Sequence, residues 1–576
     1  MFREACTLSL WFSCICLFYG YGTYASFYNY STTTQCLVEP LESLYGGGII
    51  VNPEFNNNTE GWEVFGQGKI ERRLSKKGNR FLVAHSRRNP LDSFAQKVQV
   101  EEGKIYSFSA FVQVSEGTEI VAVVFKFPNR EGIPGGYVIA QHRCWTLLKG
   151  GIVANFTSPV DIVFKSKNRA VDIWVDSISL QPFTKDEWKS HQDKSIDEVR
   201  KSKVRIQVTQ GNKTMANAKV SIKQTKSNFP FGCGMTHVIL TSPGYQNWFT
   251  SRFQFTTFSN DFKWYSTEVV QGREDYTTID AMLKFAKQNG ISVRGHNIIW
   301  DDPNMQPLWL KSLSSEDIGN AAQRRINSVV ARYKGQLIAW DAVNENLHFR
   351  FFEDKFGENA SASFYSAARQ IDPDTTMFMN EYNTIEFSSD EQASPVNYKN
   401  KLQQILSYPG NANLKEGIGL ESHFAAGQPN LAYMRSGLDL LGATGFPIWL
   451  TEVSVGKYEN QPQYLEEVLR EGFSHPAVQG IIIFAGPEIS GYNETVLADN
   501  NFKNTPSGDV VDKLLHEWKS ATQDTTTDDQ GFVDVSLFHG EYEVTAKYNV
   551  ANASATLSFK VTKTNPQAVV QVQMDT

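Results

Sequence analysis

Ile318-Gly-Asn-Ala-Ala-Gln-Arg-Arg-Ile-Asn-Ser-Val-Val-Ala-Arg-Tyr333 is followed, three residues later, by Leu337-Ile-Ala-Trp-Asp-Ala-Val343. The first stretch has the spacing of a helix and the second reads as a short strand. The same alternation runs in both directions. Candidate strands are 230–234, 253–257, 292–295, 337–343, 376–379, 417–420, 448–450 and 480–484, and helical stretches such as 463–473 fill the gaps. Eight strand–helix units over about 290 residues predict a (β/α)8 TIM barrel spanning 229–520. No short internal repeat is visible, which argues against a solenoid.

The rest of the 576 residues divides around that barrel. Residues 26–45 are rich in Ser, Thr and Tyr and read as a loose lead-in. From 46 to 183 the pattern is all-β. Tyr106, Phe108, Ala110, Val112 and Val114 alternate along one strand, and Val171-Asp-Ile-Trp-Val-Asp alternates along another. This predicts a β-sandwich (jelly-roll) module. Residues 184–203 are strongly charged and predict a linker helix. Two short alternating strands follow in 204–228, and similar ones lie in 522–576. Neither piece buries a core alone, so the expectation is one small β-sandwich built from both, because a barrel brings its ends together.

Composition narrows the function. Hydrophobic residues make up 41% and charged residues 20%, which is globular. Lys and Arg number 55 against 62 Asp and Glu, a net charge of −7. No basic field exists to hold a nucleic-acid backbone. Residues 1–25 carry a short apolar run, Thr7 to Tyr19, with small residues before Ser26, and predict a secretory signal peptide. The run is shorter than the roughly 20 residues of a bilayer span, so no membrane association is expected after cleavage. Cys36, Cys144 and Cys233 remain in the mature chain. Cys36 and Cys144 fall together and could pair, while Cys233 sits in an apolar segment as a buried thiol. Sequons stand at Asn29, Asn57, Asn155, Asn212, Asn359, Asn493 and Asn552. A secreted, extracellular or wall-located glycoprotein is expected, and nothing demands more than a monomer.

In such barrels the active site lies at the C-terminal ends of the strands. Here the third strand runs into Arg294-Gly-His296-Asn-Ile-Ile-Trp300, the fourth into Asn344-Glu345, the fifth into Asn380-Glu-Tyr382-Asn383, the sixth into Glu421-Ser-His423 and the seventh into Thr451-Glu452. Two carboxylates flanking a bond can hydrolyse a glycoside if one is protonated and the other ionised. Glu345 and Glu452 suit this from opposite sides of the barrel mouth. Asn344 can meet a sugar 2-hydroxyl, His423 can orient Glu452, and Trp264 and Trp300 offer stacking faces. The histidines and carboxylates form no recognised metal-ligand set, so neither metal nor cofactor is expected.

Trp340-Asp-Ala-Val-Asn-Glu345, Leu450-Thr-Glu452, Arg294-Gly-His296, Asn260-Asp-Phe-Lys263-Trp264 and Asn380-Glu-Tyr-Asn383 resemble glycoside hydrolase family 10 over roughly 228–518, and its plant branch most of all. The resemblance implies a retaining endo-1,4-β-xylanase acting on xylan, with Glu345 as acid/base and Glu452 as nucleophile about 5–5.5 Å apart. It implies that Asn260, Lys263 and His296 hold sugars on the non-reducing side. Trp300 would lie near the reacting sugar and Tyr382 on the leaving-group side. The charge of Glu452, and of Glu421, would raise the pKa of Glu345. Gly46-Gly-Gly-Ile-Ile-Val-Asn-Pro-Glu54, Gly61-Trp62, Val83-Ala-His-Ser-Arg87 and Cys144-Trp-Thr-Leu-Leu-Lys-Gly-Gly151 resemble carbohydrate-binding module family 22, which implies a xylan-binding module. Trp174 shares the polar face of its strand with Asp172 and Asp176, which leaves open whether it meets ligand or packs in the core or rim.

The sequence departs from the family at several places. Ser259 stands for a Glu, Asp301 for a His, Glu421 for a Gln and Ser454 for an Asp that supports the nucleophile's histidine. Phe484 stands where a Trp roofs the reacting sugar; in the module Phe111 stands where plant relatives often have Trp, and Leu91 occupies a loop position that is often aromatic. A slower or differently selective enzyme is the expectation. A xylan endotransglycosylase and a weakly active xylan-binding wall protein are the alternative readings. If 522–576 completes a sandwich with 204–228, a chain ending near Ser520 will unfold at a lower temperature than the full chain; equal melting would refute the shared sandwich.

Overall fold

The computed structural model describes residues 27–33, 35–424, 427–548, 553–563 and 569–574; the expected signal peptide and the Asn552 sequon lie outside the described residues. Among them, eight parallel strands close a barrel. They are β1 (Phe231–Met235), β2 (Phe255–Phe258), β3 (Ser292–Trp300), β4 (Ala339–Asn344), β5 (Thr376–Glu381), β6 (Glu416–Leu420), β7 (Ile448–Val455) and β8 (Val478–Ile483). Each pairs with the next, and β1 pairs with β8 through Phe231↔Ile481, which leaves no open edge. A short strand, His423–Phe424, adds beside the mouth end of β7 and sets His423 opposite Ser454.

Strands β3 and β7 run five residues further than their apolar runs suggest, through His296 to Trp300 and through Glu452 to Val455. The polar motif residues are therefore in strand, not in loop. Their backbone groups keep pairing while their side chains are buried in the mouth. On both sides of the barrel sheet, glycines face large rings across the ladder. A Cβ at Gly295 would lie 2.2 Å from the indole of its register partner Trp340, and one at Gly480 would lie 2.4 Å from that of Trp449. The Trp449 ring fills space beside the buried Arg294, and the Trp340 ring packs toward the helix through Tyr333, each opposite a position without a side chain.

The N-terminal module is two five-stranded antiparallel sheets. The first has the order 63–65, 93–100, 158–165, 118–126, 133–141, and the second 69–74, 80–85, 173–183, 105–114, 146–153. Phe94, Phe108, Phe125, Ile162 and Phe164 fill the space between them. The outer face of the first sheet is also buried. Ala95, Ala122, Val124, Tyr137 and Val163 pack with Val396 and Tyr433 of the barrel. The outer face of the second carries Phe81, Phe111, Trp145 and Leu147 under Leu37 of the lead-in. Trp174 is half-buried, stacked on Phe81 at 5.1 Å with the Arg73 guanidinium 5.7 Å from its ring, and so is not an open ligand face. Leu91 sits half-buried at the barrel contact.

The lead-in is not loose. Tyr28 is 5% exposed and donates from its hydroxyl to Asp439 Oδ2 at 2.7 Å, while Tyr30 accepts from Arg435 Nη1 at 2.8 Å. A Tyr-rich composition reads as polar, but tyrosine buries its ring once the hydroxyl finds a partner. Cys36 and Cys144 are disulfide-bonded, with Cα atoms 5.0 Å apart, and tie the lead-in to the module. Cys233 is a buried thiol donating to the Ala485 carbonyl at 3.2 Å.

Helix α1 (Lys185–Arg200) starts with a Thr184/Glu187 capping box. It ends three residues earlier than the expected boundary at 203, because Lys201–Gln210 already pairs with Phe532–Phe538. That strand also pairs with Val569–Met574, and Lys219–Ser227 pairs with Gln523–Thr526 and Gly540–Tyr548. Val204, Ile206, Val220, Ile222, Leu537, Val544 and Val572 share one core between the two sheets. Replacing Gly295 with Ala drives a methyl into Trp340 and is expected to lower barrel stability by about 1–3 kcal/mol. Calorimetry will detect this as an earlier barrel transition; an unchanged transition would contradict the Gly295–Trp340 packing.

Candidate active site

The mouth is organised from below by a buried cation. Arg294 of β3 is fully buried, with its guanidinium 4.9 Å from the ring of Phe378 and 5.7 Å from that of Trp449. It donates through Nη2 to Asp341 Oδ1 of β4 at 2.6 Å. The other oxygen of Asp341 bonds His296 Nδ1 at 2.8 Å, and that nitrogen lies 3.6 Å from Glu452 Oε1.

Glu452 sits on β7 beside two imidazoles and one amide. Asn380 Nδ2 lies 3.1 Å from its Oε1, and His423 Nε2 is 3.6 Å from its Oε2. Burial pushes its pKa up, but the charges of His296, His423 and Lys263 outweigh burial and hold it well below the usual carboxylate range. Asn380 is aimed by Thr451, whose hydroxyl donates to Asn380 Oδ1 at 2.6 Å, and it also reaches Asn344 Oδ1 at 3.0 Å and Glu421 Oε1 at 3.1 Å. Gly419 leaves the room: a Cβ there would lie 2.4 Å from Asn380 Oδ1.

Glu345 follows β4 with φ +57°, a left-handed conformation uncommon outside glycine. Its amide donates to the Asn380 carbonyl at 2.9 Å, and Asn344 Nδ2 donates to its Oε1 at 3.2 Å. Its pKa is raised to about 9, first by burial and then by the charge of Glu421, with Glu381 and Glu452 contributing less. The expected leading role of Glu452 is therefore corrected. Glu452 is itself surrounded by cations, whereas Glu421 has only His423, 3.4 Å away, as a charge partner. Burial and Glu452 raise Glu421 to about 8. His423 bonds Ser454 Oγ through Nδ1 at 2.8 Å, so Ser454 keeps the contact without supplying a charge.

The remaining expected residues fall into two groups. Lys263 Nζ donates to Asn260 Oδ1 at 2.8 Å and lies 4.3 Å from the centre of the Trp300 ring. These three line one side, and Lys263 senses Glu452, Glu421 and Glu345. Tyr382 stands on the other side, where it senses Glu345. Its ring stacks on His348, with centroids 3.8 Å apart and planes 10° from parallel. Trp264 takes no part: it is 4% exposed, bonded to Glu268 at 2.8 Å and packed against Trp309. Asp301 turns away to accept from the Phe352 amide at 2.9 Å. Phe484 stands edge-on to both His296 and His423, about where a ring can close the cavity.

Sequence reading missed the supports. Arg294, Asp341, Asn380 and Thr451 lie inside the quoted motifs, and their adjacency to the candidates was the available signal. Glu381 also lies inside a quoted motif, whereas His348 and Asp390 had no motif position that singled them out. Glu381 accepts from the Leu347 amide at 2.8 Å and from His348 Nδ1 at 2.6 Å, and His348 Nε2 donates to Asp390 Oδ2 at 2.8 Å. Burial disfavours the charged imidazole, but those two carboxylates raise its pKa to about 9. Among the described residues, Glu421, His423 and Glu452 form the group whose ligand atoms lie within 4.8 Å of one another and could hold a metal ion. All three are already committed to hydrogen bonds within the site.

Comparison with known proteins places these features. Residues 221–501 match the model of glycosyl hydrolase family 10. The chain is 48% identical to endo-1,4-beta-xylanase 5-like of Arabidopsis thaliana over 547 residues, covering 93% of this chain and 92% of that protein. It is 42% identical to endo-1,4-beta-xylanase 4 of the same plant over 553 residues, covering 93% and 92%. Among solved structures it is similar to xylanase 10B from Thermotoga petrophila RKU-1 in complex with xylobiose, at 21% identity and a TM-score of 0.45, covering 50% of this chain and 94% of that one.

Glu421→Gln removes the foremost charge that raises Glu345. The acid then ionises at lower pH, so the alkaline limb of any activity requiring protonated Glu345 is expected to move to lower pH. A pH–rate profile of the variant against the parent decides this, and an unmoved limb would contradict the coupling.

Proposed function

As this chain belongs to glycosyl hydrolase family 10, we propose that it cleaves internal β-1,4-xylosidic bonds of xylan with retention, using Glu345 as acid/base and Glu452 as nucleophile. The observation that carries this is the opposed protonation of the two carboxyl groups, one raised to about 9 and the other held ionised. This is the division of labour that a double displacement needs at neutral pH.

In the first step Glu452 attacks the anomeric carbon while Glu345 gives its proton to the departing glycosidic oxygen. Asn344, held by Asn380, is placed to meet the 2-hydroxyl of the reacting sugar. His296 and His423 share the charge of Glu452 until it forms the covalent bond. In the second step Glu345, now ionised, takes a proton from water, which attacks the same carbon and releases Glu452. The pH window follows from the signs. Activity falls at acid pH as Glu452 protonates, well below the usual carboxylate range, and falls at alkaline pH as Glu345 ionises near 9.

A sugar hydroxyl can replace water in the second step, and the Tyr382–His348 stack on the leaving-group side favours retention of such an acceptor. The reading in which the module binds xylan and the barrel is nearly inert finds less support, because the outer face of the module's first sheet is covered by the barrel. Action outside the cell is supported by the Cys36–Cys144 disulfide together with the sequons. Among the described residues no helix is long and apolar enough to cross a membrane.

Incubation with xylohexaose in 18O-labelled water, followed by mass and by anomer, tests the reading. Labelled short β-anomers are expected, lost in Glu452→Ala, and Glu345→Ala is expected to lower kcat by about 10²–10⁴. Longer unlabelled products would indicate transglycosylation. Absence of both products, or turnover unchanged in both variants, would refute the assignment.

A further inference from the structure

The module is joined to the barrel as a fixed body. Lys149 of the module donates to Asp439 Oδ2 of the barrel at 2.5 Å, with both side chains buried, and Asn430 donates to the Gly151 carbonyl at 3.0 Å. A buried ion pair of this kind resists separation, because parting it would strand two desolvated charges. From this anchored body two side chains reach the segment 383–392, which follows β5. Tyr137 donates from its buried hydroxyl to the Ser388 carbonyl at 2.7 Å, and Lys167 pairs with Glu391 at 2.8 Å.

The same segment faces the active site from its other side. Asp390, between those two contacts, accepts from His348 Nε2 and from Asn383 Nδ2 at 2.8 and 2.9 Å. Gln392 donates to the Leu347 carbonyl at 2.5 Å, two residues beyond Glu345. His348 is clamped between Glu381 and Asp390, and its flat face carries Tyr382. A ring stacked on a clamped imidazolium has fewer accessible orientations than one on a free loop. Orientation of Tyr382 therefore depends on Asp390, and the position of Asp390 depends on a segment gripped from outside by the module.

We propose that the N-terminal sandwich is a positioning element for the leaving-group side of the cleft, holding through Tyr137 and Lys167 the segment whose Asp390 fixes His348 behind Tyr382. Its kinetic consequence rests on the glycosidase reading; its structural consequence does not. The module then acts on cleavage itself, by ordering the site that holds the departing or accepting sugar, as well as enlarging the chain's surface.

The test uses the full chain carrying Tyr137→Phe with Lys167→Glu, which removes one grip and turns the other into repulsion against Glu391. A third change, Glu391→Lys, restores an opposite pair. Hydrogen exchange of 383–392 is expected to rise about threefold or more in the double variant and to return toward the parent in the triple variant. kcat/KM on xylohexaose is expected to fall about three- to tenfold. kcat/KM on β-xylobiosyl fluoride, whose leaving group is too small to reach Tyr382, is expected to stay within about twofold. Unchanged exchange in 383–392 would overturn the proposal, and so would equal losses on the two substrates, which signal general destabilisation. If the parent turns over neither substrate, the glycosidase reading fails, and the exchange arm still decides whether the module holds the segment.

Discussion

A guanidinium sealed inside the barrel is the constraint on which the site depends. Arg294 has no solvent exposure, and Asp341 is its charge partner. Breaking a buried pair by removing one member leaves an uncompensated charge. Asp341 therefore cannot be exchanged without loss, and its second oxygen is fixed in place to orient His296. His296 in turn lies beside Glu452. The nucleophile's low pKa begins three residues away from it, at a cation no substrate can touch. The glycine opposite Trp449 belongs to the same arrangement, since that ring lies against the guanidinium.

Above that base the cations are shared unevenly among the acids. Asp341, Glu345, Glu381, Glu421 and Glu452 are all buried there. Glu452 takes the positive charges of His296, His423 and Lys263, and Glu381 takes His348. Glu345 and Glu421 are left without sufficient cations and hold protons instead. A Glu at 421 is then more than an oddity of this chain: once it ionises near 8, its charge opposes the ionisation of Glu345 and carries that group's titration further up. Ser454 keeps its hydrogen bond to His423, so the departure from an aspartate removes charge without removing orientation.

The module and lead-in belong to the barrel's architecture rather than hanging from it. Strand 118–126 is buried on both faces, with Val121, Val123 and Phe125 in the sandwich core and Ala122 and Val124 at the barrel contact. Tyr28 and Lys149 converge on Asp439, while Trp188 and Gln192 of α1 converge on Glu471. Polar partners of this number at a junction make sense only if the pieces stay together, since each buried group loses its hydrogen bonds when they part.

The order of strands and helices, the barrel class and the all-β character of the N-terminal region were legible in the sequence alone, and the two glutamates were named there from their places at strand ends. Apolar periodicity and the placement of acids at strand ends are local properties, and a linear chain displays them. Asn260, Lys263, His296, Trp300, Asn344, Tyr382, Glu421 and His423 were named from motif position, and the structure brings them to one mouth in the groupings described above. The fold alone decided what surrounds each of them. It set Glu421 ahead of Glu452 as the charge acting on Glu345, buried Trp264, turned Asp301 away from the cleft and covered one outer face of the module with the barrel. It also brought His348 and Asp390 to Tyr382 from positions 34 residues before it and 8 residues after it. Burial and through-space charge depend on neighbours distant along the chain, and those neighbours exist only once the barrel has closed and the module has docked.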